Sequence, residues 1–464
     1  MNSTVLAGGK FSSDVPIDRT DTYVLQAAGW YLPYGVGGTE VYLADLIGAL
    51  RRLGITSSAI VPRSPDAPER YEYDGARIAT YPVNDGAGRE EVQSYRPHEG
   101  FDVFLEHLRT HPGAIYHQHS WTRGCGPLHL RAAREAGLRT VVTVHVPSNI
   151  CLRGSMLKFG EAQCDGRIDA SVCGACWAKA RGMPDVFARS VGQLPDIVSK
   201  AFQRGKLGRF STALGARALA IRKRDELREM VENADRVVAV CQWLYDALLA
   251  NGAPPAKVVL NRQGISTEFL QRAGVAKNRP APDSGPLRLL YLGRWDRDKG
   301  IDVVVRAVRA LPREHSVRLS IRAAANASDP GDEYGTHVRA LAEGDERIAL
   351  IPPMPRERIV DFIAEHDVLL VPSVTMETGP LVVLEAQAVG LFVVGTRMGG
   401  IAELVQDGDG GRLVAAGDVS AWSEAIGELA RAHAGGRLRR RNHAVRTMDK
   451  AAREMAAVYQ SISA

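Results

Sequence analysis

Two glutamates eight positions apart, Glu377 and Glu385, sit where a purely structural sequence has little use for them. The run Val368–Val371 reads as a buried strand ended by Pro372, and a polar loop then carries Glu377. Pro380 stands at the expected first position of an apolar helix that Gly390 closes, and Glu385 lies inside that helix between Leu384 and Ala386. A carboxylate there is desolvated unless it reaches solvent at the helix edge or something polar holds it. A second apolar run, Leu391–Gly395, leads to Gly399-Gly400 and a short helix with Glu403. About 80 residues earlier, Arg294 and Lys299 flank the strand-to-helix turn Gly293–Gly300. Two cations with a helix dipole behind them make a good site for a dianion, although the glycine spacing is not that of a Walker loop.

Further residues have chemistry to offer. His119 and His145 fall just past the carboxyl ends of two expected strands, the edge at which open sheets bind ligands. A histidine there also serves as a plain structural hydrogen bonder. Gly37 and Gly38 lie between a first strand and helix, where glycine lets the backbone approach a ligand or simply makes a tight turn. Cys151, Cys164, Cys173 and Cys176 have the number and softness of a structural zinc or iron–sulfur ligand set. Four reduced thiols packing a loop is the plain alternative.

Alternating elements must position all of these. Strands at Thr22–Ala27, Ser57–Val61, Ala114–Gln118, Arg139–Val144, Arg236–Val240 and Lys257–Leu260 alternate with apolar-faced helices, which implies a parallel sheet covered on both faces. Strands at Leu287–Leu292, Val317–Ile321, Arg347–Ile351 and Asp367–Val371 repeat the pattern. The expected division is a mobile leader at 1–21, a first domain at 22–275 with an insertion at 147–232, a linker at 276–285 and a second domain at 286–435. Residues 436–464 are expected to return to the first domain, a return that the Ser420–Ala432 helix begins.

With 464 residues, 45% hydrophobic and 24% charged, the composition is that of an ordinary globular chain with room for two cores. No window approaches the roughly 18 apolar residues of a spanning helix, and the first 20 residues lack the pattern of an export signal. The expected compartment is therefore the reducing cytoplasm. The net charge of +5 is unevenly placed: residues 179–224 hold eleven cations against Asp185 and Asp196. Interleaved apolar residues make that stretch a basic amphipathic surface, suited to an anionic membrane or simply to solvent. No nucleic-acid-binding motif accompanies it, so nucleic acid is not an expected partner.

Glu377 and Glu385, followed by Gly399-Gly400-Ile401-Ala402-Glu403-Leu404 and preceded by Gly293–Gly300, resemble the signatures of the retaining nucleotide-sugar glycosyltransferases of family 4. Cysteine-bearing inserts are similar to those of bacterial members that build surface polysaccharides. The resemblance covers most of residues 22–464 and implies the α/β GT-B fold, two Rossmann-like doubly wound domains facing a central cleft. By that resemblance Arg294 and Lys299 clasp the donor diphosphate, and Glu385 accepts the ribose hydroxyls. Glu377 and Gly379 hold the sugar, and the amides of Leu381 and Val382 at the helix start favour the diphosphate. His145 lies near the reacting carbon and His119 lines the same cleft, with Gly37 and Gly38 near the phosphates and acceptor. The implied reaction moves a sugar from a nucleoside diphosphate to a carbohydrate or lipid-linked hydroxyl with retention of configuration. It needs no cofactor, and the cysteines alone suggest a metal. Two departures stand out. Thr378-Gly379-Pro380 replaces the usual Gly-aromatic-Gly, so Pro380 offers no N–H. Gln263-Gly264-Ile265-Ser266 lacks the usual aspartate. An epimerase or hydrolase of the same fold, or a non-catalytic nucleotide-sugar sensor, are the alternatives, and donor turnover with and without acceptor separates them.

Overall fold

The structure, a computed structural model, describes residues 22–35, 37–83, 96–122, 124–204, 213–277, 285–324, 332–438 and 440–463. The expected leader and most of the expected linker lie outside them. The chain forms two compact units, residues 1–263 with 448–464, and residues 264–447.

The first unit, among the described residues, is built on an eight-stranded sheet ordered β10-β9-β6-β5-β1-β2-β4-β3. The strands are β1 (Tyr23–Ala27), β2 (Thr56–Pro62), β3 (Arg70–Tyr73), β4 (Ala76–Tyr81), β5 (Ile115–Gln118), β6 (Arg139–Val144), β9 (Arg236–Ala239) and β10 (Val258–Leu260). All neighbours run parallel except β3 and β4, which close an antiparallel edge. That hairpin escaped the sequence reading although Asp74-Gly75, both with positive φ (50° and 71°), is a strong two-residue turn signal. The central strands β5 and β6 are buried almost throughout, as parallel strands under helices on both faces must be.

The Met448–Ser463 helix packs its small residues Ala451, Ala452 and Ala456 into this unit, and its Asp449 pairs with Arg52 at 2.7 Å. Within the insertion a short hairpin, β7 (Leu157–Lys158) and β8 (Ala162–Gln163), precedes helices at Ala170–Ala180, Asp185–Gly192, Asp196–Arg204 and Ala216–Asn233. Trp177, Ala178, Ala188, Val191, Ala216 and Leu219 form its small core.

Among the described residues the second unit holds an all-parallel six-stranded sheet ordered β13-β12-β11-β14-β15-β16. These strands are β11 (Leu287–Arg294), β12 (Val317–Ala324), β13 (Ile348–Leu350), β14 (Val368–Val371), β15 (Phe392–Thr396) and β16 (Gly411–Val414). One face is covered by the Ile301–Ala310 and Val419–Ala434 helices around the fully buried Trp422. The other is covered by the Leu381–Val389 and Ile359–Ala364 helices with Ala273 and Ala276 of the Thr267–Lys277 helix. The sheet is thus doubly wound.

Three boundaries differ from expectation. The chain leaves the first unit at 263/264 rather than near 275, because the Thr267–Lys277 helix buries its alanines in the second core. The Val419–Ala434 helix stays in the second unit, held by Trp422, Ala425 and Ile426. The return is made at 447/448 by one helix, since residues 436–447 also belong to the second unit.

Candidate functional site

In the second unit the site forms at the carboxyl ends of the neighbouring strands β11 and β14. Arg294 ends β11, and its carbonyl accepts from the buried Tyr291 hydroxyl at 3.0 Å. The chain then turns through Arg297–Lys299 to Gly300, whose positive φ of 64° and close approach to the Pro372 carbonyl leave no room for a side chain. The Val374 N–H donates to the Asp298 carbonyl at 2.9 Å, which ties this turn to the loop after β14. Lys299 Nζ therefore reaches Glu377 Oε1 at 2.5 Å, and the Ser373 hydroxyl donates to the same oxygen at 2.7 Å. Burial alone would raise the Glu377 carboxyl, but the Lys299 charge and hydrogen bond, Ser373 and the Arg294 charge outweigh it and hold the group below the usual carboxylate range. Arg294 stands half exposed, 3.6 Å from Asp296.

The loop carrying Glu377 is clamped from behind. The Gly400 N–H donates to the Glu377 carbonyl at 2.6 Å, and a Cβ on Gly400 would strike Thr378 and the Gly379 nitrogen. Gly379 has φ 133°, a conformation that favours glycine. Pro380 is the N-cap residue of the Leu381–Val389 helix, one place before the position expected for it, with φ −67°. Its carbonyl still accepts from Val383, while Leu381 and Val382 begin the helix, where N–H groups lack intrahelical partners. Glu385 is neither buried nor free-standing. It lies on the half-buried helix face it shares with Leu381, Val382 and Ala388.

In the first unit the two histidines meet. His119 Nδ1 and His145 Nε2 are 3.2 Å apart, and a buried chain runs back from them. His119 Nε2 contacts Gln26 Oε1 at 2.8 Å, Gln26 Nε2 donates to the Tyr459 hydroxyl, and that hydroxyl meets His117 Nδ1 at 2.7 Å. His117 Nε2 ends on Thr143 Oγ1 at 2.8 Å. One proton assignment satisfies every link: Tyr459 donates to His117, His119 donates to Gln26, and His145 donates through Nε2 to His119. It requires His117 and His119, each accepting through Nδ1, to be neutral. Burial pushes His117 and His119 well below their usual value and His145 down to about 3. His145 therefore works as a neutral hydrogen-bonding group, not a cation. Tyr42 packs edge-on against it with ring centroids 5.0 Å apart.

Gly37 is the N-cap of the Gly38–Arg52 helix, and the Glu40 carboxylate occupies the space a Gly37 side chain would need. A Cβ on Gly38 would meet nothing within 4 Å, so this glycine leaves open space at the helix start. Val36 of the same loop lies outside the described residues.

The charge surplus of the insertion is smaller in the fold than along the chain. Lys179 pairs with Glu161 and Asp185, Arg217 with Asp196, Lys223 with Glu226, and Arg224 lies beside Asp225. Acidic residues just outside the 179–224 window thus neutralise cations within it. Lys206 and Arg209 lie outside the described residues.

Sequence reasoning missed Ser373, Gln26 and Tyr459. A signal existed for the first two: Ser373 follows the end of a buried strand, and Gln26 interrupts an apolar one. Nothing in the sequence joins Tyr459 to His117, 342 positions away.

The model of the glycosyl transferase 4-like domain matches residues 37–264, and that of the glycosyl transferases group 1 matches residues 286–432. A D-inositol 3-phosphate glycosyltransferase of Acidothermus cellulolyticus is 32% identical over 212 residues, 43% of this chain and 47% of the relative. The chain spans about half the length of the curated relatives it matches. Among solved structures, sucrose-phosphate synthase from Thermosynechococcus elongatus aligns over 95% of this chain and 96% of its own, with TM-score 0.59 and 18% identity. Anabaena HepE in complex with UDP and glucose aligns over 95% and 100%, with TM-score 0.57 and 13% identity. These likenesses show the GT-B fold of two Rossmann-like units. With one matching model on each unit, the chain belongs to the group 1, family 4-like glycosyl transferases.

Proposed function

We propose that this chain transfers a sugar from a nucleoside-diphosphate donor to an acceptor hydroxyl with retention of configuration. The observation that carries the reading is the Lys299–Glu377–Ser373 cluster beside Arg294, at the ligand-binding edge of a parallel sheet. The bond between the anomeric carbon and the diphosphate breaks, a bond from that carbon to the acceptor oxygen forms, and the acceptor proton passes to the departing phosphate. Lys299 and Arg294 stabilise the negative charge that grows on that phosphate. Glu377, held in its ionised form by two hydrogen bonds, is a weak base and an occupied nucleophile. The leaving group itself is left as the base, on the face it departs from, and this yields retention. Glu377 and Gly379 contact the sugar, the Leu381 and Val382 amides the diphosphate, and Glu385 the ribose hydroxyls. His145, in the first unit, offers a neutral hydrogen-bonding group steadied by His119. No cofactor is assigned to the chemistry.

One relative in the fold was crystallised with UDP and glucose, so UDP-sugars are the first donors to try. Donor consumption should depend on an added acceptor. Equal consumption without acceptor would favour a hydrolase, and binding without consumption a sensor.

A carbohydrate or lipid-linked acceptor is proposed, reached at an anionic membrane face. Val186, Phe187 and Ile197 are 74%, 66% and 79% exposed on two helices of the insertion, beside the exposed Arg189 and Lys200. Large apolar groups among cations suit the boundary of an anionic bilayer. Among the described residues no helix is long and apolar enough to cross one. Phe187→Ser with Ile197→Ser is expected to abolish co-sedimentation with phosphatidylglycerol vesicles. Binding that survives both changes, or that is equal on neutral vesicles, contradicts this surface.

A further inference from the structure

The cysteine set plays no part in the transfer, yet the fold gathers it. Cys151 follows a short turn, with its N–H on the Pro147 carbonyl at 2.8 Å. The β7–β8 hairpin comes next, and the Cys164 N–H extends its pairing to the Met156 carbonyl at 2.9 Å. The Ala170–Ala180 helix, capped by the Asp169 side chain, then presents Cys173 and Cys176 three positions apart and so on one face. Hairpin and helix clasp at Cys176: its Sγ accepts the Phe159 N–H at 3.1 Å and lies 3.7 Å from the Leu157 carbonyl.

Three features of this assembly go beyond thiols packing a loop. First, all six pairs among the four sulfurs are close enough to interact electrostatically. Second, backbone amides are aimed at three of them, Gly166 at Cys164, Asp169 at Cys173 and Phe159 at Cys176, the last with its N–H 3.1 Å from the sulfur. Third, positive charge is at hand beside the set: the Arg153 guanidinium bonds the Cys176 sulfur. The hairpin also needs support. Its strands are two residues long and its turn and second strand are exposed, far short of what stands alone in water. The loop between Cys164 and the helix is fastened to the sheet domain, with Asn251 accepting from the Ile168 N–H at 2.8 Å and donating to the Gly166 carbonyl at 2.7 Å.

We propose that Cys151, Cys164, Cys173 and Cys176 bind one structural zinc ion as a tetrahedral four-thiolate site that staples the hairpin to the helix. Soft thiolates select zinc among the common divalent ions, and four protein ligands leave no open position, so the ion's part is structural. Among the described residues no three His, Cys, Asp or Glu side chains stand at metal-holding distance. The four sulfurs therefore have to draw closer together to take the ion.

Elemental analysis of the full chain, purified reduced from zinc-supplemented culture, should give roughly one zinc per chain. A mercurial reagent should release it, as read by a colorimetric chelator. Cys173→Ser with Cys176→Ser should cut the content to about a tenth or less and raise amide exchange across residues 151–180, leaving 22–144 protected. The wild-type measurement stands even where that variant folds poorly. A wild-type chain that carries no zinc and takes up none when titrated with it in reducing buffer would overturn the proposal. So would iron with sulfide in place of zinc, or a disulfide that accounts for the thiols.

Discussion

Lys299→Ala is expected to cut turnover roughly a hundredfold or more, about 2.7 kcal/mol of transition-state stabilisation, with a smaller loss of donor binding. The reason is where its charge acts. Lys299 holds Glu377 at 2.5 Å, and this pairing fixes the ammonium beside the end of β11. A preset cation loses nothing to reorganisation when phosphate charge grows, and that difference between ground and transition state appears in kcat. Glu385→Ala should behave in the opposite way. Ribose contacts barely change along the reaction, so this variant should weaken nucleotide binding by about 1.5–3 kcal/mol with kcat largely kept. Initial rates over a range of donor concentration give both numbers. Equal effects of the two variants on KM alone would remove the catalytic role of Lys299.

His145→Ala is expected to lower transfer by about a hundredfold while leaving nucleoside-diphosphate affinity within a factor of two. The imidazole is neutral, with burial holding it near pH 3, so the rate should show no histidine titration between pH 6 and 8. The linkage runs one way. Because the folded pKa lies below the unfolded one, near 6.5, the buried histidines contribute stability that is complete above that value and is lost as pH falls toward 3. Steady-state rates and denaturant unfolding over that range check both statements. A wild-type rate for His145→Ala would remove this residue from the site.

Local pattern made much of this legible. The apolar runs at 139–144, 236–239 and 368–371 are buried on both sides, so the sequence marks them without help from distant partners. Arg294 and Lys299 fall where the sequence put them, flanking the turn after a buried strand, while their role on a diphosphate came from the family resemblance. What escaped depends on tertiary contact. The Thr267–Lys277 helix has an apolar pattern that fits either unit, and only its burial against Val383 and Ile363 decides the boundary. The positive surplus at 179–224 looked free because Glu161, Asp225 and Glu226, which pair with it, lie outside the stretch. Pro380 falls one place before the position read for it, within the one or two residues by which helix ends are ordinarily drawn differently.

The central claim is that the second unit binds a nucleoside diphosphate through Arg294, Lys299 and Glu385. Isothermal titration of the intact chain with UDP, GDP and ADP, repeated on Glu385→Ala, tests it most directly. The expected result is saturable binding of one of the three at one site per chain, weakened about tenfold or more in the variant. No heat with any of them, or a Glu385→Ala variant that binds as tightly as the wild type, would contradict it.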